Sequence, residues 1–121
     1  MIRGVKKRSN TRILRDKAWK VFADWIKNRD QWTCITCGKK AEGIFMNAGH
    51  FIHGRHMDFI EENISAQCSQ CNKWKHGNLA VYAIMIDRKW GAGTAEKLYK
   101  LSKTYRGYRK KDYEDVIQKY Q

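Results

Sequence analysis

A chain of 121 residues with 42% hydrophobic content and five tryptophans has enough apolar material for a modest core, which excludes a disordered tail. Its 25 Lys+Arg against 12 Asp+Glu give a net charge of +13, which points to a polyanionic partner, nucleic acid first. No apolar stretch approaches the ~18–20 residues of a membrane span, and the basic N-terminus lacks the apolar run of a secretory signal. A reducing cytoplasm is the expected compartment, where paired Cys-x-x-Cys motifs mean metal more often than disulfide.

Residues 1–15 hold six Lys/Arg (Arg3, Lys6, Lys7, Arg8, Arg12 and Arg15) and no acid. With little apolar periodicity, they read as a basic arm ahead of one domain over 16–121. Asp16 is a plausible N-cap for a helix over 17–29, where Trp19, Phe22 and Ile26 form the apolar stripe. Residues 32–38 read as a short strand turning through a knuckle, and 44–52 as a strand ending near His50. A second strand is expected around 60–66. A helix entered at the second cysteine pair, over 67–76, ends at Gly77. Further helices follow over 79–89, closed by Gly91, from Thr94 as its cap, and through Tyr113, Val116, Ile117 and Tyr120.

All four cysteines lie in 34–78 as two Cys-x-x-Cys pairs, Cys34/Cys37 and Cys68/Cys71. Short spacing lets each pair chelate one tetrahedral ion, so the four thiolates predict a structural Zn²⁺. Such a site leaves no open coordination position, so this zinc is not the catalyst. Four bound thiolates and one Zn²⁺ would lower the charge of +13 to about +11.

The insertion between the pairs holds His50, His53, His56 and Asn63. The run C-x-x-C-G, A-G-H-F-I, R-H, E-N, Q-C-x-x-C-N, G-N and then Gly91-Ala92-Gly93-Thr94 resembles the phage NinG (Rap) recombination family, within the HNH or His-Me finger nucleases. The resemblance spans about residues 30 to 103. It implies an α+β fold with a zinc-stapled ββα-metal core and flanking helices. It also implies a metal-dependent endonuclease that hydrolyses phosphodiester bonds in branched, Holliday junction-like DNA, in a bacterial host cytoplasm.

Carried onto this chain, the resemblance makes His50 the general base. Asn63, in the second strand, orients its Nδ1 and leaves Nε2 free for the proton. Asn72, on the helix after the second knuckle, becomes a ligand of a catalytic Mg²⁺ or Mn²⁺. Many HNH members carry Asp or His just before the base as a second ligand; here that residue is Gly49. Asn47 or His56 would supply the missing ligand, and His56 ranks first because it matches a recurring family histidine. His53 and His76 match no named family position, although His76 follows Asn72 by four residues on one expected helix face. Two rival readings are a nicking or homing-type enzyme on duplex DNA and a non-catalytic zinc-ribbon module that binds nucleic acid. A homodimer suits two matched nicks in a four-way junction, but the apolar patterning establishes none.

Overall fold

The computed structural model describes residues 9–104 and 106–121. It is an α+β arrangement of four helices around one two-stranded antiparallel sheet: α1 (Asn10–Arg29), β1 (Met46–His50), β2 (Ile64–Cys68), α2 (Leu79–Trp90), α3 (Thr94–Ser102) and α4 (Lys110–Tyr120). No described helix is long and apolar enough to cross a membrane.

α1 begins well before the expected 17–29. Ser9 is its N-cap and accepts a hydrogen bond from the Arg12 amide at 3.2 Å, so Asp16 is an interior residue and not a cap. The basic arm expected over 1–15 is therefore helix from Asn10 onward, while residues 1–8 lie outside the described residues. The extension is held by tertiary packing: Leu14 and Ala18 meet Tyr113 and Ile117 of α4. Further along α1, Phe22 and Ile26 are fully buried against Ile64 of β2, with Tyr120 of α4 at 4.8 Å from the Phe22 ring.

The sheet pairs Met46 with Cys68, Ala48 with Ala66 and His50 with Ile64. β1 ends at His50, as expected. β2 starts later than expected, so Cys68 closes it and Asn63 sits in the 3-10 turn Glu61–Asn63 just before it. Every residue of β2 is buried, because α1 covers one face and Tyr82 of α2 lies on the other, donating its hydroxyl hydrogen bond to the Gly49 carbonyl at 2.7 Å. Gly49 is required here by space. A Cβ at that position would stand 3.0 Å from Gln67 Cβ, against a side chain whose amide donates to the Gly77 carbonyl at 2.6 Å. The Asp or His that the resemblance would place just before His50 has no room.

Two further expectations are corrected. Residues 32–38 form a knuckle rather than a strand; Thr33 makes one bridge with Lys40, and the Ile35 amide donates to Ala66 O at 2.9 Å. The helix expected over 67–76 is a single π-helical turn, Gln70–Trp74. Closure of the second cysteine pair winds it, and three consecutive left-handed residues, His76, Gly77 and Asn78, then stop it. α2 does end at Gly91, but Thr94 is the first residue of α3 and its cap position is Gly93. The Asp87 carboxylate serves that helix start instead, accepting from Ala95 N at 2.9 Å.

One buried carboxylate joins α1, β2 and α2. Asp30 accepts from Arg29 Nε at 2.8 Å, Lys89 Nζ at 2.6 Å and the Ala66 amide at 2.8 Å. Arg29 in turn donates to the carbonyls of Glu61 and Ile64 at 2.9 and 2.8 Å. Burial alone would raise the Asp30 pKa, but the bonds from Arg29, Lys89 and Ala66 outweigh it and hold the carboxyl below its ordinary value. The ionised form is thus the one that stabilises the fold. Its contribution is complete above the unfolded carboxyl value near ~4 and is lost as pH falls through the lower folded value. Asp30→Ala should cost about 2–3 kcal/mol in urea unfolding at pH 7, because it leaves a half-buried guanidinium without its carboxylate and the Ala66 amide without an acceptor. The gap from wild type should narrow in acid.

Candidate functional site

The four cysteines converge although 30 residues (38–67) lie between Cys37 and Cys68. Their sulfurs all lie within 4.8 Å of one another, and Cys37 Sγ to Cys68 Sγ is 3.6 Å. That is too long for a disulfide and close to the ~3.8 Å edge of a tetrahedron with 2.3 Å Zn–S bonds. The donor set therefore fits one zinc ion. Three of the four are buried and Cys37 is exposed, so the site lies just under the surface at the β1 start and β2 end.

The thiols differ in their readiness to ionise. Burial opposes ionisation at Cys34, but the Thr36 hydroxyl, 3.2 Å from its sulfur, and the backbone amides of Cys68, Cys37 and Thr36 bring it down to about 6. Burial pushes Cys37 up to about 12, and the sulfurs of Cys34, Cys68 and Cys71 add to that. Cys71 is likewise raised, by burial first and then by the Cys68 sulfur and the Cys34 charge. One thiolate forms easily and makes its neighbours harder to ionise; a divalent cation removes that conflict.

At the other end of β1, His50 is held in plane and in azimuth. The Trp19 indole stacks on its ring at 4.9 Å and 14°, and the His53 imidazole stacks at 5.1 Å and 24°. Its Nε2 lies 2.8 Å from Asp58 Oδ1, with 18% and 21% of the two side chains exposed. A carboxylate oxygen only accepts, so Nε2 carries a proton and Nδ1 is the nitrogen that holds the lone pair whenever the ring is neutral. The expected roles of the two ring nitrogens are thus reversed. Asp58 escaped the sequence reading because it lies in an irregular loop eight residues from His50, and only the loop's path brings it back.

Asn63 does not touch His50. It is fully buried, and its Nδ2 donates to the carbonyls of Ile52 at 2.9 Å and Met57 at 3.1 Å, while its Oδ1 accepts from Ile52 N at 3.0 Å. It fastens both sides of the loop 51–60 and so places Asp58, the residue after Met57. Its service to His50 is indirect. His56 is turned to α3, with Nε2 donating to Ser102 O at 2.9 Å, while its own carbonyl accepts from Tyr108 Oη at 3.1 Å. Asn47 sits three residues before His50 on β1, on the opposite sheet face, and donates to Ser69 Oγ at 3.2 Å. Neither arrangement brings the residue to His50 as a metal ligand. Asn72 lies half-buried on the turn Gln70–Trp74, and His76 follows in left-handed backbone after that turn has ended, so the two share no helix face. Among the described residues, the cysteine quartet is the one group of three or more Cys, His, Asp or Glu donors close enough to hold an ion.

A sequence model of the family described as "Bacteriophage Lambda NinG protein" matches residues 2–121. The chain belongs to the NinG family. "Protein ninG" of Salmonella phage P22 is 31% identical over 86 residues, which is 68% of this chain and 42% of that protein. "Protein ninG" of Escherichia phage 933W is 31% identical over 78 residues, 61% of this chain and 38% of that protein. The chain thus spans about two fifths of the length of these NinG relatives. No solved structure matches.

For this NinG-family chain, zinc affinity should rise with pH, since bound thiols must shed their protons. With Cys37 and Cys71 protonated at neutrality, log affinity should climb by at least about two per pH unit, and by about one more below pH 6, where Cys34 also protonates. Titration against a chromophoric chelator between pH 5 and pH 8 would measure the slope; a flat profile would exclude thiolate ligation. Asn63→Ala should cost about 3 kcal/mol, since it leaves three backbone groups of the loop, buried or half-buried, without their partner. Urea unfolding with zinc bound would show it.

Proposed function

We propose that this chain is a metal-dependent HNH-type DNA endonuclease of phage recombination, acting on branched, Holliday junction-like DNA. The observation that carries the reading is the His50–Asp58 pair at the end of β1, with Nε2 committed to a carboxylate and Nδ1 available as a base. In this role Nδ1 takes a proton from water as the water oxygen bonds to phosphorus and the bond to the leaving 3′ oxygen breaks. Asp58 stabilises the imidazolium that results and keeps the ring from turning. Trp19 and His53 fix the ring plane, so little reorganisation is needed on reaching the transition state.

A catalytic Mg²⁺ or Mn²⁺ would supply positive charge to the phosphorane and the leaving oxygen. Oxygen donors suit such an ion, and in our reading the Asn72 amide oxygen is one of them. The cysteine quartet takes a structural Zn²⁺ and shapes the far end of the hairpin. The antiparallel β1–β2 pair followed by the Gln70–Trp74 turn and α2 is compatible with a ββα-metal core. The charge of +13 supports DNA as the partner, through phosphate contacts that read shape rather than base sequence.

The test is cleavage of a labelled four-way junction beside a linear duplex of the same sequence, with Mg²⁺ or Mn²⁺. His50→Ala should slow junction cutting by at least about 10²-fold, and Asp58→Asn by about tenfold or more, with zinc content and DNA affinity retained. Equal cutting of both substrates would keep the chemistry and discard the branch preference. Binding without cutting under either cation would leave a zinc-stapled binding module.

A further inference from the structure

The end of the hairpin remote from His50 carries the three most exposed large apolar side chains of the described residues: Ile44 at 82%, Trp74 at 81% and Phe45 at 63%. Phe45 and Trp74 line one groove of about 520 Å³, with Cys68 and Ser69 as floor and Lys39 and Ala41 along its edge. Its walls are tied together. Ser69 Oγ donates to Ile44 O at 2.8 Å and accepts from Asn47 Nδ2 at 3.2 Å, joining the turn before β1 to the turn after β2.

Trp74 stands apart from the other tryptophans. Trp19 stacks on His50, Trp25 packs on Tyr120, Trp32 lies under Lys27, and Trp90 lies under Arg29 and Lys89. The Trp74 ring has no ring or cation partner among the described residues. An indole left in water forfeits one of the largest burial gains any side chain offers, so a partner surface is expected to cover it.

Charge says which kind of partner. Lys73 and Lys75 flank Trp74, Lys39 edges the groove, Lys40 follows it, and the segments 31–57 and 64–86 hold one acid, Glu42. Two exposed aromatic faces set among lysines match a strand with stackable bases and anionic phosphates, the pattern of single-strand binding surfaces. We propose that this groove is a stacking site for unpaired nucleobases, with Trp74 and Phe45 as the platforms and Lys39, Lys73 and Lys75 drawing the phosphates. Because every base has a π face, the site tolerates any sequence. It takes bases that have left a duplex, as they do at a branch point. β1, about 13 Å long, runs from the groove towards His50, so the groove lies at the opposite end of the hairpin from that histidine. The inference rests on the reading of the chain as a DNA-binding protein, and not on cleavage.

The experiment is fluorescence anisotropy of the full zinc-loaded chain, without added Mg²⁺ or Mn²⁺, on three labelled probes. These are a short thymidine oligomer, an abasic oligomer of the same length and charge, and a linear duplex. The wild-type chain should bind the thymidine oligomer about 5- to 150-fold tighter than the abasic one, the span expected for stacking one base. Trp74→Ala should abolish that preference and leave duplex affinity and zinc content unchanged, while Trp74→Phe should restore most of it. Equal binding of the thymidine and abasic oligomers by the wild type would overturn the proposal. So would a thymidine preference undiminished in Trp74→Ala. Either result, with duplex still bound, removes the stacking site alone; loss of binding to all three probes removes the DNA reading as well.

Discussion

The buried Arg29–Asp30 clamp is the constraint on which the arrangement of this chain depends. It stands where the end of α1, the middle of β2 and the last turn of α2 meet, and each of those elements gives it a hydrogen bond or receives one. Two charges taken out of water are costly unless their remaining donors and acceptors are met. Here the cost is offset by backbone groups that also need partners: the Ala66 amide and the carbonyls of Glu61 and Ile64. The same contacts therefore satisfy the ions and hold β2 against α1. With β2 placed, β1 follows by register, and His50 comes to rest against Trp19 of the same helix.

The hairpin is secured differently at its two ends. At the start of β1 and end of β2, four sulfurs gather where one ion can bind them all. At the other end a single buried amide side chain closes the loop, and no metal-binding cluster lies there among the described residues. Asn63 satisfies backbone groups on both sides of the loop 51–60, which is how an irregular segment avoids stranding polar groups in a core. A thiol quartet that fits one ion at one end and a hydrogen-bonded amide at the other give the two ends different sensitivities. Acid and chelators act on the sulfurs, whereas loss of three neutral hydrogen bonds loosens the loop that carries Asp58.

Much of this was legible from local pattern. The cysteine pairs announce a metal through spacing alone, and the strand ending at His50 shows in the glycines that bound it. The apolar rhythm of Tyr113, Val116, Ile117 and Tyr120 marks α4. The failures have particular causes. α1 was read seven residues short because Leu14 shows no amphipathic period until α4 is laid beside it. The segment after Cys68 has helical composition, yet the convergence of Cys71 on the other three sulfurs, and the left-handed run 76–78, leave it only one π-helical turn. The family resemblance pairs Asn63 with His50, while the backbone groups of Ile52 and Met57 that claim its amide are invisible in a string of letters.

The amino-acid sequence by itself determined the chemistry available: four soft ligands in two chelating pairs, an excess of cations, and four histidines between the first cysteine pair and Gly77. Residue type and spacing set these things, and they do not depend on how the chain is laid out. Only the tertiary structure decided which nitrogen of His50 is free, that Asp58 is its partner, that Gln67 excludes a side chain at position 49, and that Trp74 alone among the tryptophans faces solvent uncovered. Each of these is a contact between residues on different elements or across an irregular loop. Such contacts depend on the path of the backbone between them, which local periodicity does not encode.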